Sequence, residues 1–481
     1  MKKIILVALL AIVVTAAWGI LVLQPPAPLA LPERGARIPG VVLVVPGAGR
    51  LGPVDLVVEG GRIADIQPAT SNPINGYVLP GLSDAHMHDP TLPLPGHDAL
   101  FAFLYLYHGV TLTRLAAGGG DMRNAIRAGS YPGPRMLSCG PFVDGSPPQW
   151  PGSLVVPDEI GAAQAVESIR AQGYDCVKVY NELTEAASRD IRAAATAAGL
   201  PVIGHVPWRQ DFRAAHIDDL QHTVGWAGRH PDDAATPYVL RLRRVAQLDA
   251  VRIDDLVDAA TRRGFRLTPT LVTLQRKSAL AHAQKLRARD SSHMLPRFYR
   301  EQLWHPTRGL VSSRLMSPQD HRAFEEALPP ALEVVGRMHA AGVELHTGTD
   351  SPAEFIVPGA GLIEELGLFA SAGLSAEEVL KISAVDTPRR LLGDDTPPLS
   401  VGSRADFVVY ADDPTENLAN LATRTAVVAD GRLYDRDQLE RQLQVYRDWF
   451  DAPAYRRVTE SLLGAGLWLL NALGPSGSGG D

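Results

Sequence analysis

Tyr77-Val-Leu-Pro-Gly-Leu-Ser-Asp-Ala-His-Met-His88 is the stretch on which the reading of this chain turns. After the Pro80-Gly81 turn, an apolar run reads as a strand ending in two histidines. Side chains alternate along a strand, so His86 and His88 share a face. Two imidazoles held rigidly on one face make half of a site for zinc or a related metal. His-x-His alone is weak evidence, because two polar residues at a strand end need no ligand.

Later segments repeat the pattern. Asp175-Cys-Val-Lys-Val-Tyr180 is a short β-branched strand with Lys178 set between two valines. A buried ammonium is costly unless it is paired or chemically changed. Carbamylation by CO2 would make Lys178 a carboxylate-like anion able to bridge two cations; a lysine facing solvent or paired with a carboxylate is the plainer alternative. Pro201-Val-Ile-Gly-His-Val206 and Asp219-Leu-Gln-His-Thr-Val224 each place one histidine, His205 and His222, at or near the end of a short apolar run. The first run follows an Ala-rich helix, Glu185 to Gly199, that stops at Gly-Leu-Pro. Ala341-Gly-Val-Glu-Leu-His-Thr-Gly-Thr-Asp350 ends a strand in an aspartate, after a helix from Leu328 to Ala340. Asp350 could ligate metal and take a proton, or simply cap the turn before Pro352.

Further strands are expected near Val110 to Leu115, Arg135 to Cys139 and Arg266 to Val272, with amphipathic helices between, which makes eight strand-like segments. Strands alternating with helices of this length imply parallel βαβ units. The expected class is therefore α/β, a (β/α)8 TIM barrel with all six residues on its C-terminal rim.

These residues resemble the metal-dependent amidohydrolase superfamily, in its imidazolonepropionase-like and Xaa-Pro dipeptidase-like branch. The resemblance runs from about Gly40 to Leu433. It is carried by the Leu79 to His88 motif, Tyr107-His-Gly-Val-Thr111, Val177-Lys-Val-Tyr180, Gly204-His-Val206, Gly348-Thr-Asp-Ser351 and Gly402-Ser-Arg-Ala-Asp-Phe-Val-Val-Tyr410. It implies two divalent metals, zinc by default: one on His86, His88 and Asp350, the other on His205 and His222, with a CO2-derived carbamate on Lys178 as the bridge. It also implies Asp350 as general base, since water between two cations loses proton affinity and a neighbouring carboxylate can accept the proton. Tyr180, just past Lys178, could hydrogen-bond a substrate carbonyl or carboxylate, or merely pack. Two departures bear on substrate: Gln221 stands where family members often carry an acid, and Val357-Pro-Gly359 lacks a histidine often found near it.

The flanks suggest a small β-sandwich built in two halves, at 37–80 and 401–435. The first contains Val54-Asp-Leu-Val-Val-Glu-Gly-Gly-Arg-Ile-Ala-Asp-Ile66 and the second ends in Ala429-Asp-Gly-Arg432. The barrel occupies 81–400, and 436–481 reads as a helical extension and tail. Within that extension Leu462 to Leu473 is apolar but too short to span a bilayer.

At the N-terminus, Lys2 and Lys3 precede an apolar run from Ile4 to Leu23, long enough to cross a membrane at about 1.5 Å per residue. Residues 1–23 are expected to be an uncleaved anchor rather than a signal peptide, with 24–36 a Pro-rich linker and the catalytic domain extracytoplasmic, as in a periplasm. A net charge of −7 over 481 residues gives no reason to expect nucleic acid as a partner. The partner is a small-molecule substrate.

Two cysteines, Cys139 and Cys176, are too few for a disulfide framework and are expected as buried thiols. The Arg- and Lys-containing region Arg276 to Arg308 reads as a pair of solvated helices, or alternatively as a cover for the active site. The whole points to a binuclear hydrolase of an amide or other carbon–nitrogen bond. The rivals are a one-metal deaminase and a binding protein that has lost activity.

Overall fold

The computed structural model describes residues 19–69, 74–234, 236–310 and 316–472. Two parallel sheets form its centre. One has strands Leu82–His88, Val110–Ala117 and Arg135–Ser138; the other runs through Phe142–Asp144, Val177–Val179, Val202–Gly204, Asp219–Gln221 and Arg266–Thr268, with Leu154–Val155 at its edge. Helices such as Glu159–Ala171, Glu185–Ala197, Ala250–Arg263 and Ala360–Ser371 alternate with these strands. The strand interiors are buried on both faces, as expected of a parallel sheet covered by helices.

Backbone bonds join the two sheets on both sides. Leu267 N donates to Glu344 O and His346 N to Leu267 O, while Ala85 N donates to Thr347 O and His88 N to Ser351 O. The segment 344–351 therefore lies between the Arg266–Thr268 and Leu82–His88 strands. On the other side, Arg135–Ser138 pairs with Val110–Ala117, and the Phe142–Asp144 continuation pairs with Val177–Val179.

The flanking segments hydrogen-bond as one seven-stranded sheet rather than as two separate ones. Strands Gly35–Val45, Gly49–Glu59, Arg62–Pro68 and Gly76–Pro80 come from the first flank, Phe407–Tyr410, Arg424–Ala429 and Arg432–Asp435 from the second. The sheet rolls over its own core: Leu56, Val58 and Ile63 share an apolar cluster with Phe407, Val409 and Val428, and Arg62 bridges to Arg404.

Several expectations are corrected. The seventh strand stops at Thr268, and Leu271–Ala279 is already helix. The helix before Asp350 starts at Pro318, with Ser317 and Asp320 forming a capping box, and runs through Pro329 and Pro330 to Ala340. Two adjacent prolines are poor helix-interior residues, yet eleven residues of this helix precede them. The segment Arg276 to Arg308 is only partly solvated: Arg276, Leu286, Leu295, Phe298, Tyr299 and Trp304 are buried within it, while Gln284, Lys285 and Arg308 are exposed.

Cys139 and Cys176 are bonded to each other, not free. Asp175 N donates to Ser138 O, which sets the two cysteines side by side on neighbouring strands, a proximity that a separation of 37 residues does not reveal. Among the described residues no helix is long and apolar enough to cross a membrane. Most of the Ile4 to Leu23 run lies outside the described residues; only 19–23 is seen, as helix. The linker after it packs on the fold, since Ala27 O accepts from Gln442 and Pro32 O from Arg432. The C-terminal extension forms helices Arg436–Asp451 and Pro453–Ala472, with Leu462 and Trp468 exposed on the second.

Candidate metal centre

His86 and His88 end a strand buried at every position but the last. Their Nε2 atoms lie 3.3 Å apart. Asp350 Oδ1 is 3.4 Å from Nε2 of His86 and 3.1 Å from that of His88. These three residues offer ligand atoms all within 4.8 Å of one another, close enough to share one ion. Lys178, His205, His222 and Tyr180 line the same cavity of about 310 Å³. The ring of His222 stands 4.5 Å from that of His86 and 4.9 Å from that of His205, centroid to centroid. Tyr180 packs its ring 4.4 Å from His205 and 4.5 Å from Phe142. All seven residues singled out from the sequence thus meet in one cavity.

The backbone is bent to bring them there. His222 and Asp350 adopt left-handed conformations, φ 60° and 63°, and so does Thr270 at 48°. Such conformations cost non-glycine residues on the order of 1 kcal/mol each and persist where the surroundings hold them. Thr270 earns its place by meeting His222: its Oγ1 lies 2.7 Å from His222 Nδ1.

Each of the other imidazoles is held at Nδ1 as well. Gln221 Oε1 takes that of His86, Ala117 O that of His88 at 3.4 Å, and Asn181 Oδ1 that of His205 at 3.0 Å. With Nδ1 held from behind, each ring is fixed in orientation and leaves Nε2 as its free nitrogen for the cavity, the role that outer hydrogen bonds play for metal-binding histidines.

Electrostatics favour the same use. Burial, then the charges of Lys178 and His222, holds His86 well below the usual histidine range. Burial and Lys178 do the same to His205, and burial brings His222 down to about 4. All three are therefore neutral at pH 7. Burial lowers Lys178 to about 7, so a large share of it is free amine, the form that can take up CO2. Among the described residues its buried Nζ has no hydrogen-bond partner. Desolvation alone would raise Asp350, but His222, His86 and His88 hold its carboxyl well below the ordinary range. Neutral imidazoles, an ionised carboxylate and an orphaned amine in one cavity form a donor set that fits divalent metal.

Sequence reasoning missed a deeper layer. Asp84 is buried one strand repeat before His86; it accepts from the backbone N of His86 and from N and Oγ1 of Thr349, while burial pushes it up to about 7. Beneath the site, Asp219 takes bonds from Arg114, Thr268 and His346, and Arg114 also donates to Ala85 O. Asp84 carried a signal, since strand alternation places it on the His86 face. Asn181, Thr270 and Arg114 carried none that a single chain displays.

No family model and no curated protein sequence matches the chain. Solved structures do. Bottromycin amidohydrolase is similar at 24% identity and a TM-score of 0.67, over 90% of this chain and 93% of that one. A Xaa-Pro dipeptidase with methionine bound in its active site matches at 17% and 0.58, over 83% and 100% of the two chains. Ochratoxinase from A. niger matches at 16% and 0.59, over 84% and 96% of the two chains. The chain shares the fold of these amidohydrolase and dipeptidase structures.

Proposed function

We propose that the chain is a binuclear metal hydrolase that cleaves an amide or related carbon–nitrogen bond in a dipeptide, N-acyl amino acid or cyclic amide. The observation that carries this reading is Lys178, a fully buried amine without a hydrogen-bond partner among the described residues, sharing one cavity with four histidines and Asp350. His86, His88 and Asp350 would hold one divalent ion and His205 and His222 the second, with carbamylated Lys178 between them; zinc is the default for this donor set. Bound ions would lower the pKa of water and polarise the scissile carbonyl.

The rest falls to the chain's own groups. Asp350 accepts the proton of the attacking water and returns it to the leaving nitrogen. The Nδ1 bonds from Gln221, Ala117, Asn181 and Thr270 keep the imidazoles aimed through the cycle. Tyr180, which lines the cavity, would bond a substrate carbonyl or carboxylate through its hydroxyl. The backbone bonds of 344–351 and of Arg135–Asp144 support reading the two parallel sheets as a single eight-stranded barrel, whose C-terminal rim is the usual seat of chemistry. The names of bottromycin amidohydrolase and the Xaa-Pro dipeptidase favour an amide bond as the target.

We place the catalytic domain outside the cytoplasm, tethered by the N-terminal apolar run or released after its cleavage. The Cys139–Cys176 bond supports this, because structural disulfides persist in oxidising compartments.

Elemental analysis of the full chain, purified in bicarbonate buffer, tests the reading alongside Lys178→Ala. Two metals per chain, with most lost in the variant, is the expected result. One metal retained by the variant would favour a deaminase built on His86, His88 and Asp350. No metal after reconstitution would leave a binding protein.

A further inference from the structure

The cavity that holds the histidines is lined by a second lysine, Lys277. Helix Leu271–Ala279 begins beside Thr270, the residue that holds His222, and turns Thr273 and Lys277 into the cavity one helical turn apart. The Lys277 side chain is only 8% exposed. Its Nζ lies 2.5 Å from Glu354, which is itself buried and also lines the cavity. Glu354 follows Asp350 by four residues, so one loop carries both the carboxylate at the metal centre and the partner of Lys277.

A buried ammonium beside a centre built for cations needs a reason. Desolvating it costs several kcal/mol, and one carboxylate contact offsets this only if its remaining donors find acceptors. An ammonium carries three donors, and Glu354 is the one side chain bonded to it among the described residues. Beside it the wall is apolar, formed by Val239, Leu242, Trp304 and Leu310.

We propose that Lys277 recognises a carboxylate on the substrate, so that the bond cleaved belongs to an amide carrying a free carboxylate and an apolar side chain. Lys277 anchors the carboxylate, the apolar wall takes the side chain, and the amide carbonyl reaches the histidines. Glu354 holds the ammonium in place between turnovers. The inference rests on the hydrolase reading for the bond broken, but not for the ligand bound.

The test is calorimetric binding of N-acetyl-L-leucine and of N-acetyl-L-leucinamide to the chelator-treated full chain, in which turnover plays no part. The carboxylate should bind at least tenfold more tightly than the amide. Lys277→Met should erase that ratio, Lys277→Arg should keep most of it, and Glu354→Gln should widen it by removing the competing carboxylate. Equal binding, no binding of either compound, or a ratio that survives Lys277→Met would overturn the proposal. If Lys277→Met fails to fold, the Glu354→Gln and Lys277→Arg results decide, and a narrowed ratio in Glu354→Gln counts against it. Metal content fails or holds separately: a carboxylate preference in a chain that takes up no metal would sink the hydrolase reading and leave Lys277 as a ligand anchor.

Discussion

The side-chain amide of Gln221 accepts a hydrogen bond from Nδ1 of His86, so a neutral residue does the positioning work that a carboxylate could do, without its charge. The consequence is electronic. A carboxylate in that place would make the imidazole more basic, whereas an amide leaves it nearer to an ordinary neutral ring.

Gln221→Leu should therefore lose about 10- to 100-fold in metal affinity, because the ring is freed to rotate and change tautomer. Gln221→Glu should hold metal at least as tightly as the native chain. Competition with a chromogenic chelator measures both. If Leu binds metal as well as Gln does, the Nδ1 bond is incidental.

Gly204 makes a second prediction, this time about placement. It sits at φ 147°, and a Cβ added there would meet Val179 O at 2.1 Å, an impossible approach. The close pairing of Val179 with Gly204 is what brings His205 up beside Lys178's strand. Gly204→Ala should cost about 2–4 kcal/mol in urea unfolding, through strain and forced separation of the strands, and should weaken metal binding in the protein that remains folded. Native stability in this variant would show that the two strands can part without loss.

These two cases mark what the sequence made legible. Strand alternation and the strand-ending pattern pointed to His86, His88, Lys178, His205, His222 and Asp350, because a ligand on a rim has to come at the end of its strand. The residues that hold them did not stand out. Thr270 and Asn181 act through backbone turns, and the left-handed conformations of His222 and Asp350 arise from tertiary packing that no local preference records. The helix before Asp350 begins at Pro318 rather than at Leu328, and the basic composition of Arg276 to Arg308 misled: its local meaning, solvated surface, is overridden by the residues it buries.

Glu365 supplies a pH prediction. It is buried, accepts from the backbone N of Leu271 and Val272 at the start of the helix that carries Lys277, and burial pushes it up to about 8 from the ordinary 4.5. Between those values the folded chain binds more protons than the unfolded one, so stability falls as pH rises. The contribution is complete below about 4.5 and is lost as pH passes through about 8. Denaturation of Glu365→Gln, which cannot titrate, removes this slope. The native chain should lose up to about 1.4 kcal/mol per pH unit relative to the variant within that window. A difference that stays flat from pH 5 to 8 would mean that Glu365 is ionised throughout.

The Cys139–Cys176 bond closes a loop of 37 residues that contains the strand Phe142–Asp144 and leads into Lys178's strand. Constraint of the unfolded chain by a loop of this size contributes about 3–4 kcal/mol. Thiol titration of the denatured chain without reductant should find no free thiol when the protein has been made in an oxidising compartment, and two after reduction. Cys139→Ser with Cys176→Ser should unfold at lower urea by that amount. Because Cys176 lies two residues before Lys178 on one strand face, the variant should also release metal more readily than its loss of global stability accounts for. Full thiol reactivity in exported protein would remove both the staple and the compartment argument that rests on it.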